Sequence, residues 1–358
     1  MKEYNICGIQ QMGIGVTDIK DAWNWYIKYF GTDCKIFDDE TEAKLMLPYT
    51  GGQPRSRRAI LAINMQSGGG FEIWQYKGRT PLKIKEAIKL GDLGINFGKI
   101  KTKNIEEAYQ FFGKESDIVL SAPSDDPAGN KTFFVKDPFG NVFQIVEGDS
   151  WLMDEGKLTG GAFGAIIGVT DIEKSMTVYA DILGYKEVVY DITAKFEDLS
   201  ALNGGDKEVR RVLLKNPSSF KGPFSKLLGQ SEIELVSLIE GSVKKIYEDR
   251  FWGDPGFIHL CYDIQGMENL RDYCSSKGFA FTVDSNPGAG SFDMGEAAGH
   301  FSYIEDPDGT LIEFVETHKV PIIKKLGWYI NIKKKKSGES LPIWIIKAMR
   351  FSKVKEAR

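Results

Sequence analysis

The chain has 358 residues, of which 42% are hydrophobic and 27% are charged, and its formal net charge is −4. This composition is that of a globular chain with enough apolar residues for two domains of about 150 residues. No run approaches the roughly 18 apolar residues of a membrane helix, and the first residues lack the apolar core of a signal peptide, so we expect a cytoplasmic protein without a membrane span.

The start of the chain predicts one helix among several strands. Residues 11–16 alternate as in a strand, and Asp18 is a natural N-cap for a helix that Gly31 ends. Further strands are predicted over residues 34–37, 43–47, 59–64 and 71–76. We interpret the order as a β-α-β-β-β module.

A second module begins near Gly94, with a helix around 105–112 and two strands, 132–135 and 142–146, that flank an Asp-Pro-Phe-Gly turn. Three short motifs then occur twice in the same order, which indicates an internal duplication. They are Gly-Val-Thr-Asp-Ile at 15–19 and 168–172, Gly-Asp-x-Gly at 91–94 and 253–256, and Asp-Pro-x-Gly at 137–140 and 306–309. We therefore expect two modules in a first half, residues 1–150, and two in a second half, residues 160–318.

The remaining residues, 319–358, form a basic tail with 12 Lys or Arg against 2 Glu. The body before it is acidic, so nothing outside the tail supports nucleic-acid binding. Residues 333–351 could form a basic amphipathic helix for a membrane surface or a partner, or a helix that packs on the protein's own core. We favour the second interpretation, because tails rich in Trp and Ile usually dock on their own core.

A strand ending in Val-x-Asp, a helix that contains a tyrosine and a last strand introduced by Asp-Pro-x-Gly together resemble the vicinal oxygen chelate superfamily. That superfamily includes glyoxalase I, bleomycin resistance proteins and extradiol dioxygenases. The resemblance covers roughly residues 9–316. It implies an α+β fold in which four β-α-β-β-β modules form two open barrels. The basic tail lies outside the resemblance, and we expect it to add a helical extension.

The resemblance also implies metal ligands, because the first and last strands of each module carry them in that superfamily. The slots that hold strong donors are Gln11 and Glu72 in the first module, and His259 and Glu313 in the fourth. The remaining slots hold Phe97 and Gln144 in the second module, and Gly164 and Glu234 in the third. Gly164 and Phe97 cannot bind a metal ion.

Two pairings of the modules predict different sites. If the first module pairs with the fourth, all four strong donors share one barrel and the other barrel has no complete site. If each half closes on itself, the second barrel gathers Glu234, His259 and Glu313, and the first gathers Gln11, Glu72 and Gln144. We favour the cross pairing, because it accounts for every strong ligand except Glu234.

Oxygen and imidazole ligands without thiolates suit one exchangeable divalent ion, such as Zn²⁺, Ni²⁺, Co²⁺, Mn²⁺ or Fe²⁺. Such an ion would hold two oxygens of a small-molecule substrate and acidify the C–H bond beside a carbonyl. Glu313 and Glu72 are then the candidate catalytic bases that move the proton. An apolar wall would raise the pKa of such a base towards neutrality.

Aromatic residues supply that wall and predict the kind of substrate. Strand alternation puts Trp74 and Tyr76 on the face of Glu72, and Phe301 and Tyr303 are further candidates for substrate binding. These rings suggest an apolar or ring-containing substrate.

Two glycines give a further prediction about the pocket. Gly13 and Gly15 follow Gln11 on one face of the strand, which predicts a bare pocket floor with space for a bulky substrate. Glyoxalase I grips glutathione with arginines at positions that are Gly15 and Pro255 here, so we expect a substrate other than a glutathione thioester.

The leading hypothesis is a metal-dependent isomerase, epimerase or lyase that moves a proton next to a carbonyl. A non-haem iron ring-cleaving dioxygenase is the second, although it needs two His and one carboxylate. A metal-free small-molecule-binding protein of the bleomycin-resistance type is the third. Internal duplication makes a monomer the default, with a dimer still open.

Overall fold

The fold was obtained as a computed structural model, which describes residues 3–115, 117–216, 221–285, 292–294, 297–323, 328–332 and 335–357. The first module comprises β1 (Asn5–Gly15), α1 (Ile19–Phe30), β2 (Cys34–Glu42), β3 (Ser56–Ile63) and β4 (Gly70–Tyr76). The second comprises β5 (Gly94–Thr102), α2 (Ile105–Phe112), β6 (Ser124–Asp125), β7 (Lys131–Lys136) and β8 (Val142–Glu147).

The third module comprises β9 (Thr159–Gly168), α3 (Ile172–Met176), β10 (Glu187–Ala194), β11 (Val209–Lys215), α4 (Ser225–Leu228) and β12 (Glu232–Leu238). The fourth comprises β13 (Gly256–Gln265), α5 (Met267–Ser276), β14 (Val283–Asp284), β15 (Phe292–Met294), β16 (Ala297–Glu305) and β17 (Leu311–Thr317). The tail adds β18 (Lys319–Ile323), β19 (Trp328–Asn331) and α6 (Ile343–Ala348).

Helix α1 forms as its local sequence predicts. The Asp18 side chain accepts hydrogen bonds from the backbone N–H groups of Lys20 and Asp21, and Gly31 ends the helix with φ of 59°. The strand predicted at residues 43–47 is wrong. That segment is a turn leading into a 3₁₀-helix at Leu47–Tyr49, where Pro48 sits at a position that suits its fixed φ.

The modules pair across the two halves of the sequence. One curled sheet has the order β14-β16-β17-β13-β1-β4-β3-β2, with β15 on β16, so it joins the fourth module to the first. The other has the order β10-β11-β12-β9-β5-β8-β7-β6 and joins the third module to the second. We call these sheets the first and second barrel. The cross pairing favoured by the donor pattern is therefore the one that forms.

Each half is in turn held together by a buried tyrosine–aspartate hydrogen bond. The Tyr26 hydroxyl on α1 donates to Asp137 Oδ2 at 2.6 Å, and the Tyr179 hydroxyl donates to Asp306 Oδ2 at 2.9 Å. Both aspartates begin an Asp-Pro-x-Gly turn, and both also accept backbone N–H groups of that turn. The helix tyrosine and the turn motif therefore bind each other, and this bond links the two barrels.

The tail packs partly on the first barrel, as expected. Leu341, Ile345 and Ile346 are buried in one apolar cluster with Leu61 and Ile63 of β3. The predicted helix is short, since α6 covers only Ile343–Ala348, and Lys333 and Lys334 lie outside the described residues. Among the helices that the structure describes, none is long and apolar enough to cross a membrane.

Truncation of Ile346 tests this docking. Ile346 is fully buried, so Ile346→Ala should lower the free energy of unfolding by about 2–5 kcal/mol through lost burial and a residual cavity. Ile343, which is 45% exposed on the same helix, is the matched control, and Ile343→Ala should cost far less. Urea unfolding followed by circular dichroism measures both. Equal effects of the two substitutions would contradict the docking.

Candidate metal centre

Four adjacent strands of the first barrel bring the predicted donors together. Their order is β17-β13-β1-β4, and they carry Glu313, His259, Gln11 and Glu72 in that order. Gly13 of β1 lies opposite both His259 and Glu72, and Cys261 of β13 lies opposite Glu313. Since alternate residues of a strand share a face, this register aims all four side chains into the same concave surface.

The donor atoms lie at short mutual distances. Gln11 Nε2 is 3.4 Å from Glu72 Oε2 and 3.4 Å from Glu313 Oε2. His259 Nε2 is 3.4 Å from Glu72 Oε2 and 3.0 Å from Glu313 Oε2. All four residues are buried, with 9% exposure for Glu72 and less for the other three. The two carboxylates thus face each other away from water.

His259 carries the positive charge that such a cluster needs. Burial opposes its protonation, but the negative charges of Glu313 and Glu72 outweigh burial and raise the pKa of His259 to about 9. A metal ion at the centre would displace the proton of His259, because metal ions bind the neutral imidazole.

The cluster fits a divalent metal ion. Ligand atoms at about 2.0–2.2 Å from one ion lie at mutual distances like those observed here. His259 Nε2 and Gln11 Oε1 are buried and make no hydrogen bond of good geometry to any described residue. Rotating the Gln11 amide by half a turn exchanges its O and N and would present the oxygen to an ion. Glu72, His259 and Glu313 could together hold a metal ion, because one ligand atom of each lies within 4.8 Å of the other two.

Gly13 makes room for the imidazole, so the predicted bare pocket floor is wrong. A Cβ atom at Gly13 would lie 2.4 Å from His259 Cε1, and one at Gly15 would lie 2.1 Å from the Asp254 carbonyl oxygen. The space above both glycines is therefore filled by the protein itself. The sequence shows that Gly13 and Gly15 have no side chains, but it does not show that the His259 ring and the Asp254 backbone occupy the space above them.

Aromatic rings enclose the centre. Trp74 and Tyr303 are both buried, and the Tyr303 hydroxyl lies 3.5 Å from His259 Nδ1. The Tyr76 hydroxyl donates to the Trp252 carbonyl, which holds the segment before β13. The Phe301 ring is half-buried and contacts Tyr303 from outside, with centroids 6.2 Å apart.

Trp252 was missed by the sequence reasoning. Its ring faces His259 at 6.3 Å between centroids with 19° between the planes, and meets Trp74 at 4.0 Å. The available signal was its position directly before the repeated Gly-Asp-x-Gly motif at 253–256.

The equivalent position in the second barrel is occupied by positively charged side chains. Lys99 Nζ lies 2.7 Å from Glu232 Oε1 and 2.8 Å from Glu234 Oε2. Arg211 Nε lies 2.5 Å from Glu234 Oε1, and another nitrogen of Arg211 pairs with Asp198 at 2.8 Å. Burial raises the pKa of Glu234, but Arg211 and Lys99 outweigh it and lower that pKa to about 2. This pairing explains why the third module has kept Glu234.

Removal of Arg211 should destabilise the protein, because it leaves buried carboxylates without their ion-pair partner. We expect Arg211→Leu to lower the free energy of unfolding by about 3–5 kcal/mol at neutral pH. The contribution of Glu234 is present above its ordinary pKa of 4.5 and is lost as the pH falls towards 2. The deficit of the variant should therefore shrink over that interval, as measured by denaturant unfolding at each pH.

The neighbouring Arg210 provides the matched control. It pairs with Asp191 and Glu173 on the surface, where ion pairs contribute little. Arg210→Leu should leave stability nearly unchanged, and a deficit as large as that of Arg211→Leu would contradict the role of burial.

Gly13→Ala tests the packing beneath His259. The added methyl group must displace the imidazole, so we expect metal affinity to fall by about 10–100-fold. Gly78→Ala is the matched control, because its Cβ would meet nothing closer than 3.6 Å. Calorimetric titration with Zn²⁺ or Ni²⁺ measures both variants. Wild-type affinity in Gly13→Ala would contradict the position of His259 as a ligand.

Comparisons with known proteins agree with this architecture. Residues 163–314 match the family model described as Glyoxalase/Bleomycin resistance protein/Dioxygenase superfamily. A mutant form of glyoxalase I from Zea mays is similar in structure, with 13% identity, a TM-score of 0.53, and coverage of 88% of this chain and 92% of that chain.

A putative dioxygenase from Bacillus subtilis subsp. subtilis str. 168 is similar over 99% of both chains, with 13% identity and a TM-score of 0.51. No curated protein sequence matches the chain. At such low identities these likenesses concern the fold alone. They confirm the predicted fold of four modules in two open barrels.

Proposed function

We propose that the chain is a divalent-metal-dependent enzyme of the Glyoxalase/Bleomycin resistance protein/Dioxygenase superfamily, whose family model matches residues 163–314. The reaction moves a proton next to a carbonyl of a small, ring-containing substrate, as in an isomerase, epimerase or lyase. The observation that carries the proposal is the convergence of four buried donors from four strands on one point.

Gln11, Glu72, His259 and Glu313 are the residues that would hold the ion. A divalent ion supplies polarisation of a bound carbonyl, which lowers the pKa of the adjacent C–H bond. The ion would be Zn²⁺, Ni²⁺, Co²⁺, Mn²⁺ or Fe²⁺, since the donors are oxygen and imidazole nitrogen.

The proton is moved by one of the two glutamates. Glu313 is the first candidate, because its Oε2 lies closest to His259 and the buried Tyr303 closes that side of the centre. Glu72 is the second, and its strand also carries Trp74. The buried rings of Trp74 and Tyr303 beside these carboxylates limit the access of bulk water to the transferred proton.

The donor set argues against the two other hypotheses. A ring-cleaving iron dioxygenase uses two His and one carboxylate, whereas the cluster has one His and two carboxylates. A metal-free binding pocket would leave two facing carboxylates buried with one imidazolium, an arrangement that is costly unless the charges are matched.

Deuterium exchange into 2-hydroxyacetophenone tests the proposal. This probe has a ring, vicinal oxygens and an exchangeable C–H bond, and its exchange in D₂O is followed by proton NMR with metal-loaded protein. Wild-type protein should accelerate the exchange over buffer. Glu313→Gln should reduce the rate by about 10²–10⁴-fold, because the amide cannot accept the proton.

Two controls separate loss of the base from loss of the ion. Metal content of Glu313→Gln is measured in the same samples, and Glu72→Gln shows whether the other glutamate is the base. Glu240→Gln changes an exposed glutamate and should keep the wild-type rate. No acceleration by wild-type protein with any of the five ions would overturn the proposal.

A further inference from the structure

Three buried N–H groups beside the metal centre have no acceptor. They are Nε1 of Trp74, Nε1 of Trp252 and Nε of Arg57, and in the described part of the chain no oxygen accepts them. Trp74 is 2% exposed and Trp252 is 5% exposed, so solvent does not readily supply the acceptor. Leaving a buried donor unpaired is unfavourable, which makes three neighbouring instances a sign of a ligand.

The three donors belong to one cluster. The Trp74 and Trp252 rings meet edge to face at 4.0 Å, and the Arg57 guanidinium lies 5.0 Å from the Trp74 ring centre. Ala59 of β3 lies directly opposite Trp74 of β4, so only a methyl group projects from β3 beside the Trp74 side chain. Trp74 lies two residues after Glu72 on the same face of β4, so their Cα atoms are about 7 Å apart along the strand.

Three arginines lie near the cluster, and two of them are paired with carboxylates. Arg57 uses one terminal nitrogen to pair with Asp39 at 2.7 Å, which leaves its Nε free for another acceptor. Arg55 and Arg79 both face the Phe251 ring, at 5.3 and 5.1 Å. Arg79 pairs with Asp254, whereas Arg55 has no carboxylate at ion-pair distance among the residues with described positions.

A cavity adjoins the cluster at Trp252. It has a volume of about 380 Å³ and is lined by Tyr49, Phe251, Trp252 and Ile258, among others. Trp252 belongs both to the cavity and to the group of unpaired donors. The volume is of the size that small-molecule pockets have.

We propose that Trp74, Trp252 and Arg57 form a carboxylate subsite beside the metal centre, so that the substrate carries a carboxylate in addition to the oxygens that the ion would hold. Two indole N–H groups and a guanidinium Nε–H can only donate, and a carboxylate can only accept, through two oxygens. The surrounding arginines favour an anion over a neutral carbonyl. The role in substrate recognition rests on the proposed function, but the subsite itself does not.

Indole NMR tests the subsite directly, with benzoate as the probe and chelator-treated full-length protein. The ¹H–¹⁵N signals of the Trp74 and Trp252 indoles are assigned from Trp74→Phe and Trp252→Phe. Both signals should move downfield saturably with benzoate, because their N–H groups gain a charged acceptor. The Trp344 indole, 61% exposed and remote from the cluster in the tail, is the internal control and should not move.

Benzamide, a neutral acceptor of the same shape, should bind at least about tenfold more weakly than benzoate, and Arg57→Gln should weaken benzoate by about the same factor. The proposal is overturned if neither indole signal moves at the solubility limit of benzoate, or if benzamide moves both signals equally well. Because no metal is present, these results stand apart from the exchange assay: a failure there would leave a positive indole result intact.

Discussion

A carboxylate buried inside a barrel requires a cation, and the two barrels of this chain meet that requirement differently. In the second barrel, Glu234 lies between Lys99 and Arg211, so its charge is balanced by the chain itself. In the first barrel, Glu72 and Glu313 have only the His259 imidazole between them. One imidazolium for two carboxylates leaves a net negative charge in a dry site. A divalent ion removes that imbalance, and protein cations cannot do so without filling the pocket.

The pairing of β1 from the first half with β13 from the second half brings the four donors of the candidate metal centre together. Gln11 and Glu72 come from the first module, and His259 and Glu313 come from the fourth, so the centre exists only where β1 pairs with β13. The tyrosine–aspartate hydrogen bonds instead link the two modules of one half, because Tyr26 and Asp137 belong to the same half. Each half is thus joined to the other through the sheets and to itself through the helices.

Much of this could be predicted from the sequence, because the strand period and the repeated motifs are local features. They indicated the modules and their duplication, whereas the resemblance to a known superfamily assigned Gln11 and Glu72 to ligand slots. Residues that act across modules were not predictable in this way. Lys99 of the second module occupies no ligand slot, and its partner Glu234 belongs to the third module. Arg211 lies on the strand next to Glu234 in the same module, but it too occupies no ligand slot.

Glycine was the residue type that pattern reasoning interpreted least well. A glycine in a strand records that something approaches closely, but not what approaches. At Gly13 the neighbour is the His259 ring, and at Gly164 it is the backbone, since a Cβ there would lie 2.0 Å from the Glu232 carbonyl oxygen. One glycine thus serves the metal centre and the other serves strand packing, and only the three-dimensional structure distinguishes them.

The same comparison indicates why the second barrel would not regain a metal centre by simple replacement of ligands. A side chain at Gly164 would force β12 away from β9, because these strands pair in parallel at that residue. A histidine in place of Phe97 would meet a carboxylate that Lys99 and Arg211 already neutralise. An ion would then have to compete with two fixed cations at short range, which Coulomb repulsion in a poorly hydrated interior strongly disfavours. The duplication therefore left one barrel open to an ion and closed the other with charges of its own.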